Sequence, residues 1–433
     1  MRALARPDQT VRDLERIPDR IRQQLALPPG APAVQRLDLV QRALGTEVFP
    51  LAPQIASAAA AGFVMLWLAG RLLGDRLRPG DLQTVLRGLP NNVTTQMDLA
   101  LWQASRTVRG DAAATALVLD TPVDDLAQRW RAGTLPPVLR AALDGFLQRY
   151  GERAVAEIDA GMPRWSEDPR HVLGVLANYL RLDDDRAAPD AVFARAAGAA
   201  DAMSADLVAR SRAVRRPLVR FALDRGRRLA GLRELPKYAI VVCLAQVRRH
   251  LGAIGAELAA TGVIDAPDDV FFLDLAEMRA GLGGTDHRGL VQSRRAAYDT
   301  ELRRKHVPRV LLSDGTEPEN TMVSAAPPDG SLSGTPASAG TVTAVARVVL
   351  EPVGAHLEPG EILVAPSTDP GWTPLFLTAS GLVMEMGGPN SHGAVVAREY
   401  GIPAVVGVAG ATERITTGQR VTVDGTAGTV RAG

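Results

Sequence analysis

Glu385-Met-Gly-Gly-Pro-Asn-Ser-His-Gly-Ala-Val-Val-Ala-Arg-Glu-Tyr-Gly-Ile-Pro-Ala-Val-Val-Gly407 places one histidine, His392, at the mouth of a predicted helix. The run before it, Gly381-Leu-Val-Met384, is apolar and predicts a short buried strand. Gly387, Gly388 and Pro389 then force a turn, because two glycines tolerate positive φ and proline cannot continue a ladder. Asn390 or Ser391 is suited to N-cap a helix running from about Gly393 to Tyr400. Gly401 and Pro403 end that helix, and Ala404-Val-Val-Gly407 predicts the next strand. His392 therefore falls where free backbone N–H groups and the positive end of the helix dipole converge.

That position suits phosphoryl chemistry. The dipole disfavours an imidazolium, so the ring stays neutral and nucleophilic near pH 7. The same N–H groups hold phosphoryl oxygens once the ring is phosphorylated. A lone histidine more often caps a helix or packs in a loop, but the flanking residues point the other way. Two glycines, a spacer, Ser391, His392, a small residue, a helix carrying Ala-Arg-Glu and a Gly-Ile-Pro-Ala-Val strand resemble the phosphohistidine motif of the phosphoenolpyruvate-utilising enzymes. The resemblance implies that His392 is a phosphocarrier, that Ser391 orients it, and that Gly387 and Gly388 shape its loop.

A chain of 433 residues can bury a large core and more than one domain. Its net charge of +1 and the lack of a basic domain or tail argue against nucleic acid. One cysteine, Cys243, cannot form an internal disulfide, so the fold does not depend on an oxidising compartment. Ile55 to Gly70 is uncharged, but it is rich in alanine and bounded by Pro53 and Arg71, so a buried core helix is expected rather than a membrane span. No signal-peptide pattern opens the sequence, and a soluble cytoplasmic protein without membrane contact is the expectation.

Residues 1–310 read as a large, mostly helical domain. Val138, Leu139, Ala142, Leu143, Phe146 and Leu147 recur at helical spacing behind Pro137, which suits a first turn. Similar stripes run from Val172 to Leu182 and from Ala202 to Leu229. Three stretches stand out. Leu89 to Ala100 is a polar, proline-led loop before a helix, with Thr94 or Thr95 as the expected cap. Arg149 to Trp165 gathers Glu152, Arg153, Glu157, Asp159 and Arg164, either as a buried polar network or as a solvated surface. Leu232-Arg-Glu-Leu-Pro-Lys-Tyr238 puts Arg233, Glu234 and Lys237 at a helix start opened by Pro236, where the dipole disfavours cations unless an anion joins them.

These stretches resemble the helical substrate-binding domain of rifampin phosphotransferases within the same family. The resemblance implies that Arg233 and Lys237 neutralise a transferred phosphoryl group and that Glu234 orients or deprotonates an acceptor hydroxyl. Charge neutralisation and positioning are most of what such chemistry requires. The resemblance also implies that the Glu157-Ile-Asp159 segment lies near the same pocket, with no role beyond structure assigned to Glu157 and Asp159.

Residues 311–331 are rich in Ser, Pro, Gly, Asp and Ala and read as a flexible linker, with a packed surface loop as the alternative. Residues 332–433 alternate short strands with few helices, the pattern of a compact α/β domain, which the resemblance makes a swivelling phosphohistidine domain. Thr368 to Thr373 resembles the family's loop facing the histidine, so Asp369 is expected to contact the imidazole, although Asp-Pro-Gly is also an ordinary turn.

Full-length relatives carry an ATP-grasp nucleotide-binding domain with no evident counterpart here, nor is there a P-loop. The expectation is a phosphotransferase component that binds no cofactor or metal alone. ATP and Mg would sit on an ATP-grasp-type partner or missing domain, and a small-molecule hydroxyl, rifampin-like by resemblance, would accept the phosphoryl group. The alternative is a non-catalytic module, or a decayed remnant, that binds a small molecule or regulates a partner.

Overall fold

The computed structural model describes the chain apart from residues 1, 48–50, 183–187, 304–309, 317–330, 353–354, 369–371 and 389–390. Among the described residues no strand precedes Leu332, and helices make up most of the stretch from Arg2 to Leu302. Most of the linker, 317–330, lies outside the described residues, as do Asp369, Pro389 and Asn390.

The helical region is built around the helix Leu235–Ala260, whose Val241, Val242, Ala245, Val247, Ile254 and Leu258 are buried. The helix is longer than its Tyr238–Leu251 apolar run. It also does not begin freely, because a 3-10 turn, Gly231–Glu234, leads straight into it from the helix Arg216–Ala230. Arg233 and Lys237 therefore do not face an open helix N-terminus, and the dipole argument for an anion there loses its basis. Ser211 breaks the expected Ala202–Leu229 stripe into two helices, Pro189–Arg210 and Arg216–Ala230.

Leu51–Leu73 runs antiparallel to Arg216–Ala230. Their backbones approach closely because Gly62 and Gly226 lack a side chain; a Cβ on Gly62 would lie 2.7 Å from the Ala230 nitrogen. Its Ile55, Ala58, Leu66 and Ala69 are buried, as a core helix requires. Phe63, Val64 and Trp67 are exposed, so the helix is half core and half surface. Ile55–Arg76 and Ala213–Ala260 are each long and apolar enough to cross a membrane, and most of the second is buried in the protein.

Among the described residues, the C-terminal part forms a mixed sheet of eight strands. They are β1 (Leu332–Ser333), β2 (Thr335–Ser338), β3 (Thr341–Val348), β4 (Ile362–Ala365), β5 (Gly381–Met384), β6 (Ala404–Val406), β7 (Arg420–Asp424) and β8 (Thr429–Ala432). The order is β1-β8-β7-β3-β4-β5-β6-β2, with β3 to β6 parallel and the outer pairings antiparallel. The parallel strands β4, β5 and β6 are buried throughout, as strands covered on both faces must be. Side chains alternate between two cores. Ile362, Val364, Val383 and Val405 join a cluster with Val408, Ala411 and Ile415. Leu363, Ala365, Leu382, Met384 and Ala404 join the large cluster that continues into the helical region. The sheet is thus seated on the helices through one face.

Candidate phosphohistidine site

His392 is the first residue of the helix His392–Tyr400, which connects β5 to β6. It lies beyond the carboxyl end of β5, where parallel α/β sheets present their functional loops. The loop after β4 gathers there too: Glu385 N donates to Ala365 O at 2.9 Å and Met386 N to Pro366 O at 2.8 Å. A Cβ on Gly393 would fall 2.5 Å from both Met384 Sδ and Thr368 Oγ1, so only glycine lets this first turn seat on the strand end. Gly401, in the left-handed region at φ 71°, closes the helix.

Ser391 is the N-cap, but its side chain makes no capping bond, and among the described residues its Oγ has no hydrogen-bond partner. Gly387, at φ 126°, comes so close to Ser391 that a Cβ there would meet its Oγ at 2.9 Å. Gly388 has open space around it and no such requirement. Asp369 lies outside the described residues, although its neighbour Thr368 abuts the helix start.

Across from the histidine stands the segment before the long helix. His392 Nδ1 is 3.9 Å from Glu234 Oε2, and the imidazole is only 11 % exposed. Arg233 Nε is 3.4 Å from Glu234 Oε1, and its Nη2 donates to Glu399 Oε1 at 3.0 Å. Lys237 Nζ lies 3.2 Å from Glu157 Oε1, and Arg153 Nη1 donates to both oxygens of Glu157 at 3.2 Å. Burial first, then the charges of Lys237, Arg153 and Arg233, hold the His392 imidazole well below its usual pKa of 6.5. These surroundings favour the neutral ring, in the same direction as the helix dipole.

The site brings together His392, Ser391, Gly387, Arg233, Glu234 and Lys237. It also brings in Arg153 and Glu157, from a stretch the sequence had singled out, and Asn92 and Glu399, which sequence reasoning passed over. Arg153 and Glu157 are buried, which resolves the Arg149–Trp165 stretch as an internal polar network. Asn92, not Thr94 or Thr95, caps the helix Val93–Arg109, accepting from the amides of Thr94 and Thr95. Its Nδ2 donates to Glu399 at 2.9 and 3.2 Å. Burial, opposed by Arg233, pushes Glu399 up to about 7. Glu399 could have been singled out, since it follows His392 by seven residues on a predicted helix and so shares its face. Among the described residues no three His, Cys, Asp or Glu side chains are grouped to hold a metal. Cavities of about 610 Å³ and about 870 Å³ exist, but none of His392, Arg233, Glu234 and Lys237 lines either.

Residues 54–234 match the rifampicin phosphotransferase fourth domain, and residues 357–428 match the mobile domain of PEP-utilising enzymes. The rifampicin phosphotransferase of Streptomyces sviceus is 37% identical over 372 residues, covering 84% of this chain and 42% of that protein. That of Bacillus subtilis is 32% identical over 377 residues, with the same coverage of each chain. A prodigiosin synthesizing transferase of Serratia marcescens is 30% identical over 376 residues, 82% of this chain and 40% of its own. The chain thus spans about two fifths of the length of these relatives.

Proposed function

For a chain that joins a rifampicin phosphotransferase fourth domain to a PEP-utilising mobile domain, we propose a phosphotransferase role in which His392 carries the phosphoryl group to a small-molecule hydroxyl. The observation that carries this reading is a buried, neutral histidine facing Arg153, Arg233, Lys237 and Glu234. A neutral imidazole is nucleophilic, and a phosphoryl group on it brings a charge near −2 at pH 7. Arg153, Arg233 and Lys237 supply the compensating charge. Arg153 and Lys237 share one carboxylate, Glu157, and Glu399, pushed up to about 7, can take a proton and free Arg233, so positive charge is available when the phosphoryl group arrives.

In the transfer step the N–P bond breaks and its electron pair returns to the imidazole, while the acceptor oxygen forms the new O–P bond. The hydroxyl proton passes by way of Glu234, 3.9 Å from His392 Nδ1, to the imidazole, so that the ring leaves neutral and not as imidazolate. Ser391 Oγ, which has no hydrogen-bond partner among the described residues, and Arg233 Nε, which makes no hydrogen bond although it lies 3.4 Å from Glu234 Oε1, are suited to phosphoryl oxygens. The donor is ATP with Mg on an ATP-grasp-type domain, carried by a partner polypeptide or by another part of a longer enzyme. The helical region, residues 1–310, holds the acceptor, and residues 332–433 swing on the 311–331 linker between donor and acceptor. The reaction belongs in the cytoplasm, where ATP is supplied. Two relatives are named for rifampicin and one for prodigiosin synthesis, so an ansamycin hydroxyl is the first acceptor to assay, with antibiotic resistance as the matching phenotype.

The test uses purified chain and its His392→Ala variant, each incubated with labelled ATP and extract of the native host. Acid-labile, alkali-stable label on His392 of the unaltered chain alone is the expected result. Label that persists in the variant, or none in either, refutes the carrier role.

A further inference from the structure

We infer that Glu399 is a positioning residue, which fixes where the histidine helix docks on the helical region through paired contacts with Asn92 and Arg233. The inference rests on the reading that the His392-bearing domain leaves and rejoins this surface.

Seven residues advance an α-helix by almost two full turns and about 10 Å, so Glu399 and His392 share one face. The consecutive residues Arg233 and Glu234 read that face at both points: Glu234 meets His392 and Arg233 meets Glu399. One contact alone would let the helix slide or roll. Two, spaced by two turns, define both its axial position and its rotation. Asn92 adds a third point. Its Oδ1 is held by the Thr94 and Thr95 amides, which fixes the amide plane and aims Nδ2 at Glu399. The hydrogen-bond donors identified for the Glu399 carboxylate thus come from the helical region, and the carboxylate is only 8 % exposed.

A carboxylate in such a place secures position at some cost in affinity. Buried ion pairs often bind no more tightly than neutral replacements, yet losing one partner is severe because the other charge is left buried. Around Glu399 stand Arg233 and Glu234 from the segment before the long helix, Asn92 and Asp98 from the helix Val93–Arg109, and Arg398 and Tyr400 from its own helix. The upward push on Glu399 agrees with this account. The ionised form opposes docking, which suits a domain that must release, and the protonated form docks more readily.

The experiment measures docking without phosphoryl chemistry. Energy transfer is followed between dyes on cysteines introduced at exposed Ser293 and Thr417 in the full chain, with Cys243 left buried. At pH 8, Arg233→Ala is expected to lower the docked-to-undocked ratio by roughly tenfold or more while Glu399 is present, and by less than about threefold in a Glu399→Gln background. Asn92→Ser keeps a capping oxygen but removes the amide donor, and it should show the same dependence on Glu399. The ratio for the unaltered chain, divided by that for Glu399→Gln at each pH, should rise by up to about tenfold between pH 7 and pH 6. This division cancels His392, which titrates in both. Equal costs in the two backgrounds, a flat pH ratio, or a single docked population in every variant would overturn the inference. Coupling seen without label on His392 would instead refute the carrier reading and leave the docking contact standing.

Discussion

Arg153 is the most consequential cation to remove, because it is both a structural member of the core and a source of charge at His392. Its side chain is 2 % exposed; Nη1 donates to both oxygens of Glu157, Nη2 donates to Thr94 Oγ1 at 3.4 Å, and the guanidinium lies 5.0 Å from the Tyr238 ring centroid. Arg153→Met keeps the volume and removes the charge, leaving Glu157, itself 1 % exposed, with Lys237 as its remaining ion-pair partner among the described residues. Breaking a buried pair costs about 3–5 kcal/mol, and the retained Lys237 contact puts this case near the lower end, about 3 kcal/mol. For a region this large that is a fall of roughly 6 °C in the calorimetric transition. Adding Glu157→Gln removes the stranded charge and should recover most of the loss, to within about 1 kcal/mol of the unaltered chain. If the double variant melts no higher than Arg153→Met alone, the cost is one of packing and not of an uncompensated carboxylate, and the charge reasoning fails.

Two further outcomes follow from the same burial. His392, held well below 6.5 by burial and three cations, should stay neutral to a lower pH than an ordinary imidazole, which turns over near 6.5. Its stabilising part in the docked arrangement is full above about 6.5 and is lost as pH falls toward the site's own lower value. An NMR titration of the ring that turns over near 6.5 in the docked chain would sink this account. Asp98 is fully buried and receives Tyr400 Oη–H at 3.5 Å; burial first raises it well above its usual 3.8, against the pull of Arg153. Its contribution is present below about 3.8 and is lost as pH rises through the higher folded value, so Asp98→Asn should leave the melting temperature unchanged or higher at pH 8. A drop of several degrees at that pH would show that the ionised form is needed.

The histidine helix was legible because its signals are local. An apolar strand, two glycines, a small residue after His392 and a Gly-Ile-Pro exit dictate strand, turn, helix and strand without reference to any distant residue, and the structure has β5, the helix His392–Tyr400 and β6 in those places. The alternation in β4 to β6 was less visible, since strands buried on both faces read as unbroken apolar runs and hide which face meets the helices. The Arg149–Trp165 stretch stayed undecided between two alternatives for a related reason. Arg153 and Glu157 are four apart, yet the backbone between them is turn and not helix, so no periodicity assigns them an inward face.

The remaining gap concerns contacts between parts of the chain that are far apart in sequence. Asn92 and Glu399 are separated by 307 residues, and Arg233 and Glu399 by 166. Nothing in either neighbourhood reports the other; each reads alone as a cap or a solvated charge. The family resemblance singled out Arg233, Glu234 and Lys237, while the local argument offered for them, cations at an open helix start, does not describe the backbone that is there. What explains their placement is counter-charge. Arg233 lies against Glu399 and Glu234, and Lys237 and Arg153 lie against Glu157, so each of these cations has a carboxylate beside it before any phosphoryl group is present. A sequence read in order shows these charges as scattered singles. Only when the sheet is seated on the helices do they close around His392, and the chemistry of the site is a property of that junction.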